Sequence, residues 1–483
     1  MNKKVIGGSA VAVVVLVGGY LGATAYVGQR FHQGYEAQVA KLQAGMPFLQ
    51  IVDRKVERSL FKATYSASIR VGCAADDKGA QPPLVVGLTD QVRFGPLPGF
   101  SRVAAAVVDS RIELPANAPA DFKRYMDQLP PDAIRTVVGF GNDYRTAVRL
   151  PAGELTGDWG KAGWAAFEMN GSGRFDNDDS RFDATWPTFA LDLAGNRRAQ
   201  VKLAGVRMQV DSRGAGTSLW LRPGTSKVEV ERLEVRAGSA DSQIAGQLTG
   251  LRYGTEVRIA EDLLDGKLTL ATDASLQVGR DAKAYKLDQI EVVESFKRLH
   301  VPTLQRFIAE SMKTYPGCEP GSAGKTGQAD AEKEEENEEA KAAAAEARAQ
   351  QAIQGLTGLL AHNPEVAVER IAFSHEGRRG ELSYSVGIKD FALKDGETLA
   401  AARPRLTEAL TVKARTSLPV AWIEQLSTLA GEGPNAQTRA MQAEMLLDMA
   451  LAKNYVVRSG DQLTSELLFE RGNVVINGKP LQP

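Results

Sequence analysis

The fold of this chain is decided by alternating stretches, of which the clearest reads Ala63-Thr64-Tyr65-Ser66-Ala67-Ser68-Ile69-Arg70-Val71. Apolar side chains fall on every second residue of this stretch, and the residues between them are polar. Because successive side chains of an extended chain point to opposite faces, a period of two predicts a strand with one buried face.

The same alternation recurs along the chain, at Leu268–Val278 and at Leu382–Ile388 among other places. Shifts of phase near Gly205 and Arg232 predict β-bulges, since an extra residue restores the buried face. The predicted fold class is therefore α+β and mostly antiparallel, with a large, curved, meander-type sheet and a few packed helices. Turn signals separate the strands: Asn170–Gly173, Asp211–Gly214, Leu264–Lys267 and Ser459–Asp461.

An uncharged run of 23 residues, Val5 to Val27, precedes all of these strands. A helix of this length spans the ~30 Å hydrocarbon core of a bilayer, and Lys3 and Lys4 favour a cytoplasmic N-terminus. The run therefore predicts a single transmembrane anchor after a cytoplasmic tail of residues 1–4, with the bulk of the chain outside the cytoplasm. The alternative is a cleaved signal peptide, because Ala23-Thr24-Ala25 resembles a cleavage site.

Outside the anchor, the sequence predicts three consecutive segments. Residues 28–320 form a β-rich domain, residues 321–360 an acidic, alanine-rich helical arm or linker, and residues 361–483 a C-terminal β/α portion that completes the domain. The arm contains so few apolar residues that it cannot build a core. The predicted helices are Arg30–Ala44, Glu294–Tyr315, Val420–Leu429 and Gln437–Lys453.

The chain contains two cysteines, Cys73 and Cys318, each in a turn-like stretch. Two loop cysteines in an exported chain predict a disulfide, because the compartment outside the cytoplasm is oxidising. Neither cysteine has a C-x-x-C partner or a neighbouring histidine, which argues against a metal site.

No sequence motif predicts catalysis, a cofactor or a metal ion. A net charge of −1 without a basic cluster argues against nucleic acid as a partner. Ser59–Lys62 and Lys325–Gly327 match two short motifs of penicillin-binding enzymes but lack the third motif and the helical setting. The acidic run Asp176–Asp179 lacks the glycine and closing glutamate of a calcium loop, so we interpret it as a solvated hairpin tip. The sequence thus predicts a protein that is not an enzyme.

Several of these features together resemble a known family. They are the Lys-Lys anchor, the motif Val92-Arg93-Phe94-Gly95-Pro96-Leu97-Pro98 and the C-terminal stretch Ser459–Lys479, which ends in Asn477-Gly478-Lys479. The chain resembles the YdgA-like family of Gram-negative bacteria, a domain family of unknown function (DUF945). Phe94 stands where that family usually has a histidine, which weakens any catalytic role for the motif. The resemblance implies an inner-membrane protein, single-pass, with its bulk in the periplasm.

Two functions from different classes fit this sequence. The first is a non-enzymatic periplasmic scaffold or assembly protein, tethered to the inner membrane, that binds envelope proteins. The alternative is an envelope protein that handles lipids or other hydrophobic ligands in an apolar sheet groove. That groove requires an apolar strip which no helix covers. Gly18 and Gly22, spaced as in G-x-x-x-G, also allow a homo-oligomer through the anchor.

Overall fold

The computed structural model describes most of the chain. It leaves out residues 1–2, 47–48, 72–83, 196–197, 215–220, 239–242, 280–283, 314–354, 395–396, 424–435 and 482–483, together with the side chains of residues 1–18, 71, 84, 312–313, 436–440 and 442–444. The chain divides into two compact units. The first comprises Met1–Leu191, Arg207–Arg222 and Ile308–Glu346, and the second comprises Asp192–Val206, Pro223–Phe307 and Ala347–Pro483.

Strands dominate both units. The helices are α1 (Lys3–Gly45), α2 (Ala120–Asp127), α3 (Val301–Lys313), α4 (Leu399–Ala409) and α5 (Ala436–Ala452). The strands are β1 (Leu49–Arg58), β2 (Lys62–Val71), β3 (Leu84–Phe94), β4 (Ala106–Glu113), β5 (Ile134–Val138), β6 (Asp143–Leu150), β7 (Gly153–Gly157), β8 (Gly160–Trp164), β9 (Phe167–Arg174), β10 (Ser180–Leu193), β11 (Ala199–Ser212), β12 (Gly224–Ala237), β13 (Ile244–Ala260), β14 (Leu263–Val278), β15 (Tyr285–His300), β16 (Glu365–His375), β17 (Arg378–Ile388), β18 (Leu410–Pro419), β19 (Val457–Ser459), β20 (Gln462–Glu470), β21 (Asn473–Ile476) and β22 (Lys479–Pro480).

Each unit is an antiparallel meander. In the first unit, β1 to β6 pair in chain order, β6 continues to β9 and β10, and the β7–β8 hairpin joins through β8 to β10. In the second unit, β12 to β18 pair in chain order, β18 pairs with β20, and β20 also pairs with β19 and β21. The predicted mostly antiparallel fold with a few helices is therefore confirmed.

The core of the first unit lies between helix α1 and one face of the sheet. Tyr65, Val92 and Phe94 are almost fully buried there, and Phe31 and Tyr35 of α1 pack against them. Tyr65 belongs to the alternating stretch that predicted β2, so the alternation correctly identified the buried face. Helix α1 covers this part of the face and excludes water from it.

Gly95 allows α1 to approach the sheet closely. Its φ of +115° is a conformation that residues with a side chain rarely adopt, and an added Cβ would lie 2.8 Å from Thr24 Oγ1. The preceding Phe94 is buried, and its ring packs at a tilt against Phe31 of α1, with ring centroids 5.6 Å apart. The Phe94-Gly95-Pro96 motif thus serves helix packing.

A buried hydrogen bond also fixes α1 on the sheet. The Tyr35 hydroxyl donates to Asp90 Oδ2 at 2.9 Å, and Asp90 is only 6% exposed. Burial, and next the charge of Asp90, raise the pKa of Tyr35, so the phenol stays protonated and able to donate.

Removing this donor is expected to destabilise the first unit. Tyr35→Phe leaves the buried Asp90 carboxylate without that partner, so we expect the free energy of unfolding to fall by about 1–3 kcal/mol. Tyr26→Phe on the same helix is the control, because Tyr26 is 61% exposed, and its effect should stay within about 0.5 kcal/mol. Urea denaturation of the full chain measures both values, and equal effects would contradict this account of Asp90.

The predicted helix Glu294–Tyr315 is wrong over its first third. Its residues up to His300 form the end of β15, and the helix begins at Val301. The helix-like spacing of Phe296 and Leu299 arises from a bulge at Arg298, whose φ is +58°. Because of this extra residue, Phe296 and Leu299 pair with Gly266 and Leu264 and so reach the same face of the sheet.

Of the two predicted bulges, the one near Gly205 has a backbone conformation that fits it, and the one near Arg232 does not lie where the sequence placed it. Gly205 has a φ of +64°, the conformation that a glycine-type bulge requires. Near Arg232 the register of β12 against β13 is continuous on both sides. The shift lies instead on the neighbouring strand β13, between Thr249 and Arg252, where Gly250 has a φ of +64°.

Helix α1 ends at Gly45, one residue beyond the predicted Arg30–Ala44 helix. Among the residues that the structure describes, no helix is long and apolar enough to cross a membrane. Side chains 5–18, which form most of the predicted anchor, lie outside the described set, so the anchor stays a prediction. Other predictions that lie outside the described residues are the Cys73–Cys318 disulfide, most of the 321–360 arm, and residues 424–429 of the predicted Val420–Leu429 helix.

A candidate apolar ligand site

One candidate site is an apolar pocket beside helix α2 in the first unit. Its volume is about 870 Å³. Most of the residues that line it are aliphatic or aromatic. They are Gln91, Asp109, Ser110, Arg111, Ile112, Leu114, Phe122, Tyr125, Met126, Leu129, Pro130, Pro131, Ala133, Ile134, Val148, Leu150, Trp164, Phe167, Trp186 and Phe189. We call this cavity the α2 pocket.

The floor of the α2 pocket is a sheet face. Ile134 of β5 lies opposite Val148 of β6, and Leu150 lies opposite Phe167 of β9. Because side chains alternate along a strand, Ile134 shares its face with Val138, which belongs to the core under α1. The pocket floor is therefore the continuation, past α1, of the apolar face that α1 covers.

The wall of the pocket is an aromatic pair fixed by hydrogen bonds. The rings of Tyr125, from α2, and Trp164 meet edge to face at 4.9 Å. The Tyr125 hydroxyl donates to the Pro151 carbonyl oxygen at 2.9 Å, and Trp164 Nε1 donates to the same oxygen at 3.2 Å. Gly153 leaves room for this pair, because an added Cβ would lie 2.5 Å from the indole. The polar ends of both rings are thus satisfied and their apolar faces remain for a ligand.

Further aromatic rings line another part of the pocket. Trp186 packs against Phe167 with ring centroids 6.0 Å apart and against Phe189 at 5.1 Å. Trp186 Nε1 is buried and has no hydrogen-bond partner among the described residues. Such rings present a large apolar surface and favour a hydrocarbon ligand over a polar one.

A charged group lies at the polar part of the lining. Asp109 accepts hydrogen bonds from Arg93 Nη2 and Arg135 Nε, each at 2.6 Å, and the bond to Asp109 raises the pKa of Arg135. In contrast, Arg111 pairs at 3.0 Å with Asp127, and both side chains are more than half exposed. An exposed pair of this kind contributes little to stability, so Asp127 holds Arg111 only weakly.

The polar groups in the described lining of the pocket are few, and the carboxylate among them is paired. Its described lining includes no histidine or cysteine, and its carboxylate, Asp109, is occupied by two arginines. No described group in the pocket stands ready as a nucleophile beside a base, which covalent catalysis requires.

The motifs that the sequence singled out lie elsewhere. Ser59 is in the turn between β1 and β2 rather than in an alternating strand, and it donates to the Lys62 carbonyl oxygen. The run Asp176–Asp179 is at the β9–β10 hairpin tip, as interpreted, but it is not fully solvated, because Asp178 pairs with Lys41 and its side chain is only 16% exposed. Lys325–Gly327 lies outside the described residues. No short motif marks the α2 pocket, because its lining is distributed over many strands.

Sequence spacing also missed a histidine pair in the second unit. The rings of His300 and His362 stack at 4.0 Å, although the two residues are far apart in the chain. Loss of solvation, and next the proximity of His300 and Arg298, lower the pKa of His362. Its neutral form is therefore favoured in the folded state.

This histidine pair predicts that the second unit loses stability in acid. As the pH falls below about 6.5, the unfolded chain binds a proton at His362 before the folded chain does, so unfolding becomes more favourable. We expect the free energy of unfolding to fall between pH 7.5 and pH 5.5, and His362→Gln to reduce that fall. His375→Gln, in the same unit, is the control. If H362Q leaves the pH dependence unchanged, the pair has no such role.

The described fold defines a mostly antiparallel β protein with a few helices and an apolar pocket in its first unit. The family model with the description "Bacterial protein of unknown function (DUF945)" matches residues 1–483, so the chain belongs to this family. No curated protein and no solved structure matches the chain.

Proposed function

We propose that this protein binds an apolar chain, such as the acyl chain of a lipid or another amphiphile, in the α2 pocket and does not catalyse a reaction. The observation that carries the proposal is the apolar strip over Ile134, Val148, Leu150 and Phe167, which continues past α1 as the floor of a cavity. An apolar strip that no helix covers is the feature that separates a lipid-handling protein from a scaffold, and helix α2 lines the cavity over this strip without filling it.

The size of the pocket supports an acyl chain. Ligand pockets typically enclose ~300–1,000 Å³, and the α2 pocket lies in this range with about 870 Å³. Each buried methylene contributes about 0.8 kcal/mol, so a chain of roughly ten methylenes gains about 8 kcal/mol before the costs of association. That gain supports reversible binding without any strong polar contact.

Arg111 supports an anionic head group on the ligand. Arg111 is one of the residues that line the pocket, and its present partner Asp127 is exposed. A carboxylate or phosphate can accept two parallel hydrogen bonds from a guanidinium. The proposal therefore specifies an amphiphile with its chain in the pocket and its anionic group at Arg111.

The location belongs to the same proposal. The uncharged run over residues 5–27 and the resemblance to YdgA-like proteins support a single-pass anchor in the inner membrane of a Gram-negative bacterium. The two units then lie in the periplasm, where lipids and other envelope amphiphiles are within reach of a tethered pocket.

The scaffold function stays a prediction, and one observation favours it. Helix α5 exposes Met441, Met445 and Met449 at intervals of four residues, with 49% or more of each side chain accessible. A stripe of exposed apolar side chains is typical of a protein-contact surface. If a variant with a blocked α2 pocket keeps its cellular role, that result would favour the scaffold function.

Photo-crosslinking tests the proposed ligand class. The full chain in lipid nanodiscs is irradiated with a diazirine-labelled palmitic acid, with and without excess palmitic acid. We expect labelling that saturates and that the competitor suppresses. Labelling that rises linearly with probe concentration and is unaffected by the competitor would contradict a specific acyl-chain site.

A further inference from the structure

The loop Leu97–Val103 presents an apolar surface to solvent. Phe100 is 82% exposed and Val103 77% exposed, which makes them the most exposed large apolar side chains in the described part of the chain. Phe100 stacks at 6.0 Å on Tyr20 of α1, and Tyr20 in turn stacks at 6.3 Å on Phe61. We call Tyr20, Phe61, Leu97, Phe100 and Val103 the loop patch.

The chain holds the loop patch in its exposed arrangement. Phe100 has a φ of +53°, which is unfavourable for a residue with a side chain and persists only where neighbouring contacts enforce it. Two such contacts are backbone hydrogen bonds from Phe100 to Leu97 at 2.9 Å and from Ser101 to Pro98 at 3.4 Å. A third ties the loop to the helix, because the Tyr20 hydroxyl donates to the Leu97 carbonyl oxygen at 3.3 Å. The backbone conformation of Phe100 therefore keeps its ring directed toward solvent.

The loop patch contacts α1 at Tyr20, and the place of Tyr20 in the predicted anchor indicates which surface lies against the patch. Tyr20 belongs to the uncharged run over residues 5–27. At ~1.5 Å per residue, a helix that starts to cross a bilayer at residue 5 leaves the ~30 Å hydrocarbon core about 20 residues later. Tyr20 therefore lies five residues, or ~7.5 Å, before the end of the core, and the loop that contacts it lies close to the same depth.

The charges around the loop patch fit a phospholipid surface. Arg102 is exposed between Phe100 and Val103, and Lys62 is exposed beside Phe61. Apolar and aromatic side chains flanked by cations are typical of segments that lie in the headgroup region of anionic membranes.

We infer that the loop patch inserts into the lipid–water interface of the bilayer that holds the anchor. The ring of Phe100 and the side chain of Val103 lie at the boundary between acyl chains and head groups, and Arg102 contacts lipid phosphates. The first unit then has two attachments to the membrane, the helix and the loop, which limit its rotation about the anchor.

Site-specific crosslinking to lipid tests this inference with both native cysteines in place. Phe100→benzoylphenylalanine is incorporated into the full chain, which is reconstituted in nanodiscs of phosphatidylethanolamine and phosphatidylglycerol and irradiated. Because Phe100 is 82% exposed, the larger side chain should not disturb folding. We expect phospholipid adducts on the peptide that contains position 100.

The matched control is Phe175→benzoylphenylalanine. Phe175 is also an exposed phenylalanine of the first unit, but it adjoins the hairpin tip that pairs with Lys41. Lys41 lies 21 residues beyond Tyr20, about 30 Å further along the helix. We expect at least tenfold fewer lipid adducts at position 175. Equal adduct yields at the two positions, or none at position 100, would overturn the inference.

Discussion

Val148→Trp is expected to weaken acyl-chain binding at least tenfold. Val148 lies on the floor of the α2 pocket, so an indole at this position occupies space that the ligand needs. Displacing two methylenes from an apolar site costs about 1.6 kcal/mol, which corresponds to slightly more than a tenfold rise in Kd. The concentration dependence of crosslinking by the diazirine-labelled palmitic acid, measured in nanodiscs, gives this ratio.

Arg149→Trp is the matched control. It adds the same indole one residue further along β6, and because side chains alternate along a strand, it projects from the opposite face. Arg149 is exposed, so its replacement leaves the pocket open. We expect the affinity of R149W to equal that of the unmodified chain. If both variants lose affinity to a similar extent, or if neither loses affinity, the α2 pocket is not the binding site.

Gly95→Ala is expected to lower the free energy of unfolding of the first unit by roughly 2–4 kcal/mol. Two effects add at this position. The φ of +115° is strained for alanine, and the new Cβ would lie 2.8 Å from Thr24 Oγ1 and 3.3 Å from the Tyr20 hydroxyl. The helix must therefore move away from the sheet, which opens the packing of Phe31 on Phe94. Urea denaturation of the full chain measures the loss.

Gly99→Ala separates the two effects. Gly99 also has a positive φ, +59°, but the nearest atom to an added Cβ is Arg93 Cδ at 3.6 Å, which is an ordinary contact. This variant is expected to cost about 1 kcal/mol through backbone strain alone. If G95A and G99A lower the free energy of unfolding equally, the close approach of α1 does not explain the glycine at position 95.

Much of the fold could be predicted because it depends on local patterns. The alternation over Ala63–Val71 marks β2 and identifies the face that α1 covers, since Tyr65 lies in the core. The pattern failed where a bulge changed its period. Phe296 and Leu299 are three residues apart, as on one face of a helix, but the extra residue Arg298 brings them to the same side of a strand.

The α2 pocket could not be predicted from such patterns. Ile134, Val148 and Leu150 resemble the residues of any half-buried strand, and Val138 on the same face belongs to a closed core. Whether a stretch of this face is covered depends on where α1 ends its contact with the sheet and on how short α2 is. These are long-range properties of the packed chain, and the number of helices in the sequence does not determine them.

The position at which the fatty acid crosslinks tests the central claim most directly. After irradiation of the full chain with the diazirine-labelled palmitic acid, the modified peptides are identified by mass spectrometry. The account predicts adducts on the strands and helix that line the α2 pocket, within residues 109–134, 148–150 and 164–189, and predicts that excess palmitic acid removes them. Competed adducts confined to other parts of the chain, such as β16–β20 of the second unit, would contradict it.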